Sequence, residues 1–175
     1  MNSHKLIRGL TASNIIMIFI IVILIIVIWW LWKRVTKKET VIEFRDLWID
    51  HGLYTRLFVI YELNDQRSDA IVTRLMKNQD DISNAVKKLT GKDAGKLNKL
   101  LKEHITQAAE IVKTLKVGQN AGPTIESWYV NGDQLAIELN KLTGKPVESL
   151  KAIMKEHLDT TSAAINKYFA GDAQG

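Results

Sequence analysis

The sequence predicts an all-α protein in which a single N-terminal transmembrane helix is followed by a compact bundle of about five helices. Three observations lead there. An 18-residue stretch, Ile15 to Trp32, carries no charge. Beyond it, apolar residues recur at the three-and-four spacing of amphipathic helices rather than in strand-like alternation. Only two prolines occur in 175 residues, and the polar residues are mainly Lys, Asn, Asp, Gln and Glu, a composition that favours helices over strands or disorder.

Residues 1–14 form a short flank, and the apolar run 15–32 comes next. At about 1.5 Å per residue it makes a helix of about 27 Å, close to the roughly 30 Å of a bilayer's hydrocarbon core. Ile15 opens the run. Trp29, Trp30 and Trp32 close it, followed at once by Lys33 and Arg34, which together supply the aromatic belt and basic anchors expected at one membrane interface. A cleaved signal peptide fits less well, because its apolar region is shorter, about 7–15 residues, and ends in small residues. Lys5 and Arg8 precede the span, and Lys33, Arg34, Lys37 and Lys38 follow it. This slight excess of positive charge after the span leans towards a C-terminal domain on the cytoplasmic side.

Residues 33–39 read as a basic juxtamembrane linker, and 40–170 as the bundle. The helices fall at about 40–62, 66–89, 94–116, 125–142 and 146–169, separated by Asn64-Asp65, by two Leu-Thr-Gly-Lys segments and by a loop of Gly118 to Pro123. Residues 171–175 form a polar tail. The two Leu-Thr-Gly-Lys segments lack the preceding strand and the upstream glycine of a phosphate loop, and read as glycine-capped helix ends.

The chain also resembles itself at an offset of 53 residues without gaps. Leu89-Thr90-Gly91-Lys92 matches Leu142-Thr143-Gly144-Lys145, Lys102-Glu103-His104 matches Lys155-Glu156-His157, and Asn78 matches Asn131. This predicts two copies of a helical hairpin, about 66–118 and 119–171. Each copy has one apolar face that needs the other, and the first helix completes the bundle.

Charge and composition exclude several function classes. The formal charge is +5, but six basic residues flank the apolar run, leaving 18 basic against 19 acidic residues beyond Lys38. The bundle therefore lacks the basic surface that phosphate binding needs, and no nucleic-acid partner is expected. With no cysteine there is no disulfide, thiolate metal site or cysteine nucleophile. No catalytic motif is present, so no enzyme activity and no cofactor is expected.

The residues that stand out are polar groups on apolar stripes: His51, Asn78, His104, Asn131 and His157, with Asp81 one turn from Asn78. One reading is a buried His/Asn hydrogen-bond layer that fixes helix register. The competing reading is a metal or small-ligand site, since bundles build such sites from inward histidines and carboxylates. The spacing disfavours a di-iron site, because Glu103 and Glu156 directly precede their histidines and point about 100° away.

The segments LWIDHGLYTRLF (47–58), RLMKNQDDI (74–82) and LLKEHITQAAEIV (100–112) resemble a family of small helical proteins from bacteria and large DNA viruses of algae. The resemblance covers most of 45–170 and supplies no catalytic residues. It implies a minor capsid or virion membrane protein of a large icosahedral virus, its anchor in the internal membrane and its bundle against the shell. Bacterial members are mostly soluble, so the anchor is a departure that points to a tether. The expected partners are a lipid bilayer and other protein subunits.

Overall fold

A computed structural model describes residues 12–171; the side chains of 12–16, including Ile15, lie outside that description, as do the basic residues Lys5 and Arg8 and positions 172–175 of the tail. Five helices follow in order: α1 Ala12–Leu63, α2 Asp69–Thr90, α3 Gly95–Lys116, α4 Gly122–Thr143 and α5 Val147–Phe169. No strand occurs among the described residues. The chain divides between Val41 and Ile42 into two units.

The first unit is helical throughout its described part. It contains an 18-residue window of mean hydropathy 2.4, none of it buried, which makes α1 long and apolar enough to cross a membrane. The ammonium of Lys33 sits 4.1 Å from the centre of the Trp29 ring, and the guanidinium of Arg34 sits 5.2 Å from Trp30. Each cation thus covers an aromatic face one turn back. The juxtamembrane segment 33–39 is helical, as part of α1. No glycine or proline occurs from residue 10 to residue 51, so nothing breaks the backbone ladder. The Thr36 and Thr40 hydroxyls donate back to Trp32 O and Thr36 O, at 3.1 and 2.9 Å.

In the second unit, the part of α1 from Ile42 onward packs with α2–α5. The core joins Ile82, Val86, Leu97, Leu101 and Leu135 at one end, and Phe58, Val59, Leu75, Ile105, Val112 and Ile165 at the other. Trp128, Ile111 and Leu158 form a third cluster between α3, α4 and α5. Both Leu-Thr-Gly-Lys segments end their helices in the same way. Gly91 and Gly144 take φ values of 71° and 72°, and their N–H groups donate to Lys87 O and Asn140 O at 2.8 Å. A side chain there would be strained in the left-handed region, which is why glycine follows Leu-Thr. In each, the threonine hydroxyl accepts from the lysine N–H two residues on, at 3.2 Å. Proline sits just inside α4 as Pro123 and just before α5 as Pro146.

Leu97 is almost wholly buried, whereas Ile137 on α4 is exposed. Leu97→Ala is expected to lower stability by about 2–5 kcal/mol and Ile137→Ala by less than about 0.5 kcal/mol, measured by denaturant titration of the helical signal in detergent micelles.

Candidate functional site: a histidine and asparagine layer

Three helices of the second unit each carry a histidine inward: His51 on α1, His104 on α3 and His157 on α5. The ring centres of His51 and His157 lie 6.0 Å apart, and those of His104 and His157 lie 5.9 Å apart. His51 and His104 are buried, while His157 is half-buried. Asn78 and Asn131 are fully buried and reach the same layer from α2 and α4. Five of the six polar residues singled out in the sequence are therefore brought together.

The sixth is not. Asp81 stays at the edge of the bundle, its carboxylate paired with Lys77 at 2.7 Å and Arg74 at 3.7 Å. Three residues from Asn78 fall about 60° short of a full helical turn, which brings Asp81 into reach of cations and water rather than the layer.

The two asparagines do the same work. Asn78 Nδ2 donates to Leu47 O at 2.9 Å, and Asn131 Nδ2 donates to Leu100 O at 3.1 Å, each reaching a carbonyl 31 residues upstream. These carbonyls already serve their own helices, so the amide uses the second lone pair. Because Asn131 donates through Nδ2, its Oδ1 must accept, and the His104 Nδ1–H donates to it at 3.0 Å. The indole N–H of Trp128 then donates to His104 O at 3.1 Å, with its ring 5.0 Å from the imidazole. Asn78 Oδ1 instead accepts from Gln79 Nε2 at 3.2 Å. Gln79, which the sequence reading passed over, is as deeply buried as Asn78; its Nε2 donates to Leu75 O at 2.9 Å and lies 3.3 Å from His51 Nδ1. Only its position beside Asn78, one step off the apolar stripe, hinted at this role.

Burial sets the electrostatics. It pushes His104 down from the ordinary 6.5 to about 3 and His51 to about 4, with His157 as the next cause in each case, and the asparagine hydrogen bonds offset part of this. Burial lowers His157 as well. The layer is therefore neutral at pH 7, since charging one ring means desolvating it beside a second.

A small cavity of about 30 Å³ lies against the layer, bounded by Phe44, Trp48, Leu101, Leu135 and Met154 together with the three histidines. That volume admits one or two waters. Among the described residues, no group of three or more His, Cys, Asp or Glu side chains is placed to hold a metal ion. His104 Nδ1 is already committed to Asn131. Around the layer, charged pairs lock helix to helix: Arg74 to Asp50 at 2.6 Å and Lys102 to Asp80 at 2.7 Å. Comparison with protein-family models, curated proteins and solved structures returned no match.

Two outcomes follow from this geometry. Asn131→Ala leaves the His104 N–H buried without an acceptor and should cost about 1–3 kcal/mol in a chemical denaturation series. The pH dependence has a definite sign. His51 and His104 have folded values below the unfolded 6.5, so the unfolded chain binds the extra protons. Stability is full above pH 6.5 and falls as pH drops towards 4, by on the order of 3 kcal/mol or more. The midpoint of thermal unfolding, followed from pH 7.5 to 4.5, should decline over this window, and the decline should flatten in His51→Gln/His104→Gln.

Proposed function

We infer that this chain is a non-enzymatic, membrane-anchored interaction protein, with α1 fixing a helical bundle beside a bilayer. The observation that carries this reading is the exposure of the whole apolar window of α1 next to Trp29, Trp30, Trp32, Lys33 and Arg34. Fourteen of the 18 residues from 15 to 32 are Ile, Leu, Val or Phe. At about 0.3–0.6 kcal/mol each, they favour insertion by about 4–8 kcal/mol. A soluble protein would leave that surface in water, which is the signature of a surface meant for another phase.

The bundle is the part available to a protein partner. Its helices read as a repeated pair in which a His helix is followed by an Asn helix. The support is the 53-residue spacing of His51, His104 and His157 together with the matching bonds of Asn78 and Asn131. This phasing starts one helix earlier than the hairpins of 66–118 and 119–171. The resemblance carries the reading further, to a minor capsid or virion membrane component whose bundle, on the cytoplasmic or capsid-facing side, links shell to internal membrane. The metal or small-ligand reading of the layer has less to support it, because Nδ1 of His104 is engaged by Asn131 and Nδ1 of His51 lies against the Gln79 amide.

Membrane fractionation tests the anchor. The full chain should sediment with membranes and resist alkaline carbonate, while a chain lacking 1–38 should be soluble and helical. Ile23→Lys/Ile26→Lys costs about 5–7 kcal/mol at mid-bilayer, comparable with the whole insertion energy, and should release the protein. A full chain extracted by carbonate, or a truncated chain without helical signal, contradicts the reading. For the virion assignment, the protein should be recovered in the membrane layer of purified particles; its restriction to cell membranes would overturn that part.

A further inference from the structure

We propose that the groove between α1 and α5 is the docking site for an amphipathic helix of a partner protein carrying the pattern large apolar-x-x-Asn-x-Asp-x-apolar. The proposal rests on the interaction role inferred above and names what the bundle holds.

The evidence is a contact pattern made twice and left open once. The inner helices α1, α3 and α5 meet through their histidines. Helix α2 lies between α1 and α3: Asn78 bonds Leu47 O on one side, and Asp80 accepts from Asn98 Nδ2 on the other at 2.8 Å. Helix α4 lies between α3 and α5: Asn131 bonds Leu100 O, and Asp133 meets Lys151 at 3.5 Å. Leu75 and Trp128 stand three residues before these asparagines, and Ile82 and Leu135 stand four residues after, all buried. Asn98 and Lys151, the partners of the two aspartates, are 53 residues apart, and the position 53 before Asn98 is Arg45.

Between α5 and α1 no described helix lies. Instead there is an open cavity of about 340 Å³, lined by His51, Gly52 and Val59 from α1 and by His157, Ala164 and Tyr168 from α5. In the repeat, Ala164 and Tyr168 stand where α3 has Ile111 and Leu115, the residues that close over Trp128. The cavity is thus the unfilled counterpart of the Trp128 slot. Everything a third Asn helix needs is present around it. Ile153 O is the equivalent of the Leu47 and Leu100 carbonyls, and among the described residues His157 has no amide partner and the exposed Arg45 is bonded only to its neighbour Asp46. On the same two helices, Ile49 and Ile153, each 61% exposed, and Trp48, 38% exposed, are apolar side chains without cover.

The occupant comes from another molecule. In the whole chain only Asn78 and Asn131 have aspartate two residues on, and both are already docked. Such helix-in-groove recognition takes its specificity from anchors at this spacing.

The test uses the full chain in detergent micelles and a fluorescein-labelled peptide with the sequence of residues 122–143, followed by fluorescence anisotropy. Saturable one-to-one binding is expected, weakened at least tenfold by Asn131→Ala within the peptide. A Cβ on Gly52 meets nothing within 4 Å, and the matching position beside Trp128 is Leu158, so the larger Gly52→Trp should fill the groove without disturbing the fold and abolish binding. Should that variant lose helical signal, the charge swap decides: Arg45→Glu in the chain should weaken binding at least fivefold, and Asp133→Lys in the peptide should restore it. A peptide that does not bind, or binds Gly52→Trp or the uncompensated Arg45→Glu chain as well as the original, overturns the proposal. So does a dimer of the chain alone that Gly52→Trp dissociates, since the occupant is then a second copy. Membrane fractionation reads the anchor independently, so failure of the groove and failure of the tether are told apart.

Discussion

The second unit depends on one constraint: a buried imidazole must stay neutral and must find a partner for its ring N–H. The interior offers no water to charge it, and an unbonded N–H there costs as much as several well-made hydrogen bonds contribute. The chain meets this with amides on neighbouring helices. Asn131 accepts from His104 and at the same time donates to Leu100 O, so one side chain ties α4 to α3 at two points. Asn78 ties α2 to α1 through Leu47 O, and the neighbouring Gln79 brings its Nε2 within 3.3 Å of His51 Nδ1. An apolar core alone tolerates sliding by a helical turn, but these bonds do not, because moving any helix strands a polar group. The layer accordingly sets which helix sits beside which, and the hydrophobic clusters above and below it fill the space so defined.

The first unit follows the opposite logic. Its side chains from Met17 to Trp32 are all exposed and almost all aliphatic or aromatic, on a helix long and apolar enough to cross a membrane. Charge is likewise divided, with the excess cations beside the apolar run and the remainder of the chain close to neutral. The buried amides of the second unit, by contrast, are spent on contacts between helices.

Much of the fold is legible in the sequence because the cues are local. Gly91 and Gly144 stop their helices through a backbone conformation that other residues resist, and the break after Gly118 is equally clear, although α4 already begins at Gly122. The continuity of α1 through residues 33–39 was harder to see, since a run of lysines suggests a linker, although nothing in it breaks a helix. Within the candidate site, the histidines and asparagines announce themselves as polar residues on apolar stripes. Gln79 and Asp81 do not sort correctly, because the stripe of α2 is read from spacing alone, and a rotation of one residue exchanges an inward side chain for an outward one. The open groove between α1 and α5 is a matter of which helices become neighbours, and no local pattern carries that.

The neutral, amide-bonded histidine layer is tested most directly by the nitrogen-15 spectrum of the imidazole rings in uniformly labelled full-length protein at pH 5.5. The account predicts that His104 is uncharged, carries its proton on Nδ1, and keeps that state while an exposed histidine would be largely protonated. A His104 ring found charged at this pH, or bearing its proton on Nε2 with Nδ1 free, would contradict it.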